Sequence, residues 1–338
     1  MSATFSYLKI VFKIVVYLVL AIAWLWGVTA IYLAGPGNHQ VNTILAALFG
    51  VFLPAAFMFS RSFFRGVILS LGLFVFVLVW WQTLTPTNEK DWAPDVAQIS
   101  HGEIQGDTLV MHNVRNFDYK SEQTFHQQWD TREYDLNKLE GLDIFISYWA
   151  SDNIAHTILS WDFGTDGCLA ISIETRKDKT QQFSAIKGFF KQFEIAYIAA
   201  DEEDIIRLRT NYRKERVYLY RLLVEKEHVL ALLKDYLKKM NSLVDNPQFY
   251  DALKHNCTTT IQLHANAINS GKLPPLDWRL IASGHVDELL YDRGRISTAL
   301  TFPELRRTSR VDLEMQKKGK DDFSRIMREY VRSAQKSE

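Results

Sequence analysis

The stretch FYDALKHNCTTTIQLHANAINSG (residues 249–271) contains one of the two cysteines of the chain, Cys257, directly behind Asn256. Asn is a preferred N-cap residue, so this pattern predicts a helix that begins at Cys257 and closes at Gly271. The unpaired N–H groups and the positive end of the helix dipole favour thiolate over thiol at that position. We therefore interpret Cys257 as a candidate nucleophile. The N–H groups at the helix start, including that of Thr258, would form an oxyanion site.

A second stretch, NIAHTILSWDFGTDGCLAISIETRK (residues 153–177), is typical of a β-hairpin. With a five-residue loop at 163–167, Asp162 faces Cys168 and His156 faces Glu174. A thiolate nucleophile needs a His to transfer its proton and a polar group to orient that His. This register predicts Cys257, His156 and Glu174 as a catalytic trio. A different loop length would separate His156 from Glu174.

Strand alternation divides this hairpin into two faces. The first is apolar and is expected to be core; it comprises Ala155, Thr157, Leu159, Trp161, Leu169, Ile171 and Ile173. The second is smaller and more polar; it comprises His156, Ile158, Ser160, Ser172 and Glu174. We expect the second face to receive the start of the Cys257 helix.

Plainer explanations of these residues stay open. A single His on a strand is more often a packed or solvated side chain than a catalyst. Cys168 and Cys257 could form a disulfide in an oxidising compartment. His255 is a rival base, although adjacent residues at a helix start point in different directions. His264 would lie about 10 Å along the helix, too far to take the proton. The Cys and His spacing does not indicate a metal site, and no cofactor is indicated.

The charge of the chain is zero overall but uneven. Residues 1–88 contain four basic residues (Lys9, Lys13, Arg61 and Arg65) and no Asp or Glu. The remaining 250 residues hold 35 basic and 39 acidic residues. They lack the excess of positive charge that is typical of nucleic-acid-binding proteins. The two parts of the chain therefore belong in different environments.

The apolar N-terminal part predicts three transmembrane helices, at about 14–34, 43–59 and 64–82. Pro54 interrupts the second run, and Trp80-Trp81 closes the third like an interfacial aromatic pair. A cleaved signal peptide is the alternative, but the first run is too long and two more spans follow it. The positions of the basic residues place the N-terminus in the cytoplasm and the chain after the third span in the periplasm of a bacterium.

The rest of the chain mixes strand and helix patterns, so the predicted fold class is α+β. We expect a transmembrane region at 1–85, a linker at 86–100, one domain at 101–300 and a charged, partly helical tail at 301–338. Strands are predicted at 108–114 and 142–150, and helices at 227–240 and 323–331.

The segments LDIFISYWASDNIAHTILSWDF, ISIETRK, RLRTNYR, VYLYRL and FYDALKHNCTTT together resemble the Lnb N-terminal periplasmic domain family, named after a bacterial lipoprotein N-acyltransferase. That resemblance covers roughly residues 92–296. It implies a circularly permuted papain-like (NlpC-type) fold, in which the His and the polar residue precede the Cys helix. In the enzyme that names the family the membrane helices follow the periplasmic domain, whereas here three spans precede it.

The resemblance implies a membrane-anchored thiol acyltransferase or acyl hydrolase acting on lipid or lipoprotein acyl groups through a Cys257 thioester. Two alternatives stay open: a peptidoglycan amidase or peptidase of the NlpC type, and a non-catalytic envelope scaffold with oxidised cysteines. The expected partners are the bilayer and its lipids or lipoproteins, with no nucleic acid. Arg115 and Arg176 could bind a phosphate headgroup, although arginines beside strands are more often structural.

Overall fold

Three long apolar helices open the chain: α1 (Ser2–Ala34), α2 (His39–Met58) and α3 (Phe63–Thr83). Each has the length and composition to cross a membrane, as the sequence predicts. Pro54 lies inside α2 and does not end it. The computed structural model describes residues 2–60, 62–252, 254, 256–268 and 277–337. Arg61, one of the residues that set the predicted topology, lies outside this part of the chain.

The chain divides into two compact units. The first consists of residues 1–86 and 183–193, and the second of residues 87–182 and 194–338. The second unit is built from a large sheet and several helices, so the predicted mixed helix-and-sheet fold class is confirmed. Residues 87–100, predicted as a linker, pack on this unit, because Trp92 and Val96 are buried and Asn88 bonds to backbone carbonyls of a helix.

The strands are β1 (His101–Gln105), β2 (Thr108–Arg115), β3 (Asp118–Tyr119), β4 (Phe125–His126), β5 (Trp129–Asp135), β6 (Gly141–Ser151), β7 (Ile154–Asp162), β8 (Cys168–Arg176), β9 (Glu194–Ala200) and β10 (Arg216–Arg221). Eight of them form one sheet in the order β1-β2-β9-β8-β7-β6-β10, with β5 beside β2, and β3 and β4 form a separate pair. The strands predicted at 108–114 and 142–150 are confirmed.

The helices after α3 are α4 (Ala185–Gly188), α5 (Glu202–Arg207, continued as a π-helix over Leu208–Tyr212), α6 (Lys226–Asp245), α7 (Cys257–Ile268), α8 (Trp278–Ile281), α9 (Val286–Asp292), α10 (Phe302–Thr308), α11 (Asp312–Met315) and α12 (Phe323–Lys336). The helices predicted at 227–240 and 323–331 are confirmed as α6 and α12. The predicted end of the Cys257 helix at Gly271 lies outside the described residues.

The β7–β8 hairpin has the predicted register. Asp162 pairs with Cys168, and the ladder continues to Ile158 opposite Ser172. Gly164 and Gly167 in the loop both have positive φ, a conformation that glycine adopts without strain. The five-residue loop therefore fixes which residues of the two strands meet.

The two faces of this sheet are both covered. α6 and α7 pack on the apolar face, where Leu159, Trp161 and Ile171 belong to the main core and Cys257 packs against it. α5, α11 and α12 cover the other face, where Ile158 belongs to a second core. The expectation that this second face receives the Cys257 helix is wrong, because the C-terminal segment already buries it.

The C-terminal segment is fixed to the sheet by a buried cation. Arg328 on α12 donates to Asp143 on β6 and to Glu202 on α5, with the closest pairs at 2.7 Å. All three side chains are buried. Removing one partner of a buried ion pair leaves an uncompensated charge, so this contact ties residues 323–336 firmly to the second face.

Candidate active site

Cys257 is the first residue of α7, and Asn256 caps the helix. The side-chain Oδ1 of Asn256 accepts from the Thr259 N–H at 2.8 Å, and its carbonyl accepts from the Thr260 N–H at 3.0 Å. In the reciprocal direction, the Thr259 hydroxyl oxygen accepts a hydrogen bond from the Asn256 N–H at 3.1 Å. These bonds occupy the N–H groups of the third and fourth positions. The N–H groups of Cys257 and Thr258 come before them, at the positive end of the helix.

His156 and Glu174 meet at the open end of the β7–β8 hairpin, as the register predicts. His156 Nε2 lies 3.3 Å from Glu174 Oε1 and 2.7 Å from the Ser172 hydroxyl oxygen. The Ser172 hydroxyl donates to the same Glu174 oxygen at 2.7 Å. One ring nitrogen of the imidazole is thus held by Glu174 and Ser172, which leaves Nδ1 for another partner.

The Cys257 side chain is a further partner of His156. It forms a hydrogen-bonding and charge interaction with His156, and it accepts from the backbone of Thr157 on the same strand. Its Sγ also lies 3.8 Å from the Thr258 hydroxyl, which in turn lies 3.4 Å from the hydroxyl of Thr157. α7 packs on the apolar face of the sheet, and its first turn reaches His156 beyond the last paired residues of β7 and β8.

The ionisation of the pair follows from these contacts. Burial raises the pKa of Cys257, but the neighbouring His156 lowers it more, and the net pKa is below the usual value for a thiol. Burial lowers the pKa of His156, but Glu174 and Cys257 raise it more, to about 9. Both shifts favour a thiolate beside an imidazolium, which is the reactive form of a cysteine nucleophile.

Glu174 is held by a cation that the sequence analysis did not identify. Arg209, in the π-helix after α5, donates to Glu174 Oε1 at 3.1 Å. Burial raises the pKa of Glu174, but His156 and Arg209 lower it well below its usual range. Glu174 is therefore ionised and can hold the imidazole in one orientation.

Three residues near the pair were missed as site residues: Ser172, Arg209 and Tyr250. Tyr250 lies close enough to Cys257 and Glu174 for both to raise the pKa of its phenol, after burial. Arg209 and Tyr250 lie in RLRTNYR and FYDALKHNCTTT, two of the segments that carry the family resemblance, but their spacing gives no sign of contact with Glu174 or Cys257. Ser172, by contrast, precedes Glu174 by two residues on β8, so strand alternation places both on one face.

Cys168 lies at the loop end of the same hairpin and is not bonded to Cys257, since both cysteines are free thiols. Its Sγ donates toward Asp162 Oδ1 at 3.9 Å. Burial raises the pKa of Cys168 strongly, and Glu202 raises it further, against the opposing effect of Arg328. This cysteine is held as a neutral thiol.

The other candidate bases differ in their surroundings. His264 lies two turns along α7, where Nδ1 contacts Asp235 Oδ2 at 2.7 Å and Nε2 contacts the Tyr197 hydroxyl at 2.7 Å. It joins α7 to α6 and β9. His255 lies outside the described residues.

Arg115 and Arg176, the candidate headgroup-binding residues, are both buried. Arg115 pairs with Asp204 at 2.8 Å and also donates to the backbone carbonyl of Asp95. Arg176 donates to the carbonyls of Val96 and Ala97 and lies over the ring of Trp92. These contacts favour the structural alternative for both arginines.

An apolar cavity begins beside the nucleophile. Thr157 and Thr258 line one end of it, and α7 lines its length from Thr258 to Ile268. The remaining wall is mainly aliphatic, with Leu142, Ile144 and Leu159 from the sheet and Val286 and Leu289 from α9. The cavity is narrow, with a volume of about 120 Å³. Among the described residues, no cluster of three or more His, Cys, Asp or Glu could hold a metal ion.

Together these features define a class of protein: three membrane-capable helices followed by a mixed helix-and-sheet domain with a Cys–His–Glu arrangement. Residues 125–284 match the family model of the Lnb N-terminal periplasmic domain, so the family that the sequence resembles is confirmed for this part of the chain. No curated protein and no solved structure is similar enough to match. A periplasmic domain family joined to three membrane-capable helices suggests a bacterial membrane protein.

Proposed function

We propose that this chain is a membrane-anchored thiol acyltransferase or acyl hydrolase that acts on lipid or lipoprotein acyl groups through Cys257. The observation that carries the proposal is that Cys257 interacts with His156 and that their chain neighbours Thr258 and Thr157 line an apolar cavity. Glu174 would position His156. The fold would be a permuted papain-like one, since His156 and Glu174 precede the Cys257 helix in the chain.

In the first step, Cys257 Sγ attacks the carbonyl carbon of a lipid ester. The N–H groups of Cys257 and Thr258 at the start of α7 stabilise the oxyanion. The C–O bond then breaks, and His156 gives its proton to the leaving alkoxide, which leaves an acyl thioester on Cys257. In the second step, an amine or water attacks the thioester, His156 takes the proton of that nucleophile, and the C–S bond breaks.

The cavity supports lipid as the substrate class. Its α7 wall runs from Thr258 to Ile268, about 15 Å at 1.5 Å per residue, so the cavity follows the helix axis. Its lining is mainly aliphatic, although Gln262, Asn266 and Arg295 also contribute to it. Burial of an acyl chain there removes apolar surface from water. An apolar binding cavity therefore favours an acyl group over the peptidoglycan substrates of NlpC-type amidases.

The proposed location is the inner membrane, with the catalytic unit in the periplasm. Lys9 and Lys13 lie in the N-terminal part of α1, and Arg65 lies at the start of α3. Positive charges favour the cytoplasmic side, so the residues after α3 would lie outside the cytoplasm. A diacyl substrate stays in the bilayer, and an anchored enzyme meets it at a high effective concentration.

Intact mass measurement tests the proposal. The full-length protein is incubated with phospholipid vesicles, and both the protein mass and the release of lysophospholipid are followed. We expect a mass increase equal to a fatty acyl group or release of lysophospholipid, both absent in Cys257→Ala and both retained in the matched control Cys168→Ala. Activity that survives Cys257→Ala, or its absence from the unaltered protein in both measurements, would overturn the proposal.

A further inference from the structure

Residues 183–193 connect β8 to β9, yet they belong to the same compact unit as the membrane helices and not to the unit of the two strands. Phe190 and Phe193 are the buried aromatic side chains of this segment, and Phe190 is the one that contacts the membrane helices. It packs with Ala30 near the end of α1 and with Trp81 near the end of α3. The Phe190 ring centroid lies 5.9 Å from that of Trp81 and 6.1 Å from that of Trp26.

Lys191 fixes the segment to the end of α3. Its Nζ donates to the backbone carbonyl of Trp81 at 2.9 Å and lies 5.3 Å from the Trp81 ring centroid. Carbonyls in the last turn of a helix lack intrahelical partners, and a Lys that reaches one of them stabilises that helix end. The segment is therefore built onto the ends of α1 and α3.

The segment also exposes large apolar side chains. Ile186 is 62% exposed, and Phe183 and Phe189 are 45% and 44% exposed. Three such residues within eleven positions form an apolar patch that water does not favour. Lys187 lies among them on α4, at a position where a long cationic side chain can reach the headgroup layer.

The position of the patch indicates what covers it. Trp80 and Trp81 lie in the last turn of α3, and tryptophans of this kind mark the level where a span leaves the hydrocarbon. Phe190 packs at that same level, so the neighbouring Ile186 and Phe189 lie at the depth of the interface. A lipid surface surrounds the helix ends there on every side that protein does not occupy.

We propose that residues 183–193 form an interfacial membrane-contact segment in which Phe183, Ile186 and Phe189 insert among the lipids. Phe190 and Lys191 hold the segment on the helix ends, and the three exposed side chains meet the acyl-chain boundary. The bilayer thereby becomes a second attachment for the chain between β8 and β9, in addition to the three spans. This proposal does not depend on the catalytic one.

Depth-dependent fluorescence quenching tests it on the full chain. In a Cys168→Ser, Cys257→Ser background, Ile186→Cys is labelled with an environment-sensitive dye and the protein is placed in phosphatidylethanolamine–phosphatidylglycerol vesicles. Lipids that carry a nitroxide just below the headgroup are the quenchers. Leu313→Cys on α11, at 57% exposure, is the matched control outside this unit, and Val79→Cys on α3, at 60%, is the membrane reference.

We expect the dye at position 186 to be quenched several times more strongly than the dye at 313, with emission shifted to the blue. Equal quenching at 186 and 313 would overturn the proposal. A blue shift without lipid quenching would also overturn it, because protein would then cover the patch. Phe189→Cys serves as a second probe, so that a label that disturbs position 186 cannot decide the result alone.

Discussion

The two ends of the β7–β8 hairpin each place a cysteine beside charged groups, with opposite results. At the open end, Cys257 contacts the His156 imidazole, and the pKa of its thiol falls below the usual value. At the loop end, Cys168 lies near Asp162 and Glu202, and its pKa rises strongly. Burial alone raises the pKa of both thiols.

The sign of the neighbouring charge, and not burial, separates the two thiols. A cation that is itself stabilised can outweigh the cost of desolvating a thiolate. His156 is such a cation because Glu174 raises its pKa, and Glu174 stays ionised beside Arg209. The reactive state of Cys257 thus depends on a chain of three side chains behind it.

The largest expected effect is the difference in alkylation rate between the two cysteines. Because the thiolate is the nucleophile, iodoacetamide at pH 7 should label Cys257 about a hundredfold faster than Cys168. Peptide mapping of timed samples by mass spectrometry measures both rates in one protein. In denaturant the two rates should converge, which is the control. Equal rates in the native protein would break the comparison.

Removal of the imidazole should cancel most of that difference. In His156→Ala, burial of Cys257 is no longer opposed by a cation, so its pKa rises and its labelling at pH 7 slows roughly tenfold to a hundredfold. The same timed alkylation measures the loss. His112→Gln, a change at a His on β2, should leave the rate of Cys257 unaltered. If His156→Ala labelled as fast as the unaltered chain, another group would have to stabilise the thiolate.

The pH dependence should sharpen the role of Glu174. Formation of the acyl adduct needs His156 protonated, so its rate should fall as the pH rises through about 9, the pKa of His156. Glu174 raises that pKa; hence Glu174→Gln should move the decline to lower pH, toward the ordinary value of about 6.5. The rate of adduct formation, measured from pH 5 to 10, gives the pH of this decline in the unaltered protein and in Glu174→Gln.

Glu133→Gln, at an exposed carboxylate on β5, is the matched control for this shift and should leave the decline where it is. A decline that stays near pH 9 in Glu174→Gln would remove Glu174 from its proposed positioning role.

The smallest expected effect is at the helix cap. Asn256→Ala should lower the free energy of unfolding by about 1 kcal/mol and slow the alkylation of Cys257 a few-fold. Asn256→Asp should restore the stability, since Asp is an equally good cap, but not the rate, since its negative charge disfavours the adjacent thiolate. Thermal unfolding and timed alkylation separate the two effects. A rate restored together with stability would mean that only the cap geometry matters.

Much of the site geometry could be predicted because it depends on local rules. A five-residue loop with two glycines fixes the hairpin register, and that register brings His156 to Glu174. An Asn directly before Cys257 fixes the helix start. The catalytic roles of these residues stay predictions, since their geometry and ionisation are compatible with catalysis but are not a measurement of activity.

What sequence reasoning missed depends on contacts between distant parts of the chain. The second face of the hairpin is small and polar in sequence, yet it is covered by Val311, Phe323 and Met327. Nothing near Ile158 indicates that cover, so α7 was expected on the wrong face. Arg209 likewise reaches Glu174 from a π-helix that local propensity does not specify.

The buried pairing of Arg328 with Asp143 and Glu202 has a consequence for how the second unit is made. Arg328, which these two carboxylates share, is synthesised long after β6, β7 and Cys257 have left the ribosome. Until it arrives, one face of the sheet lacks both its apolar cover and its charge balance. The second face of the sheet is therefore closed late, only after residues 323–336 are available.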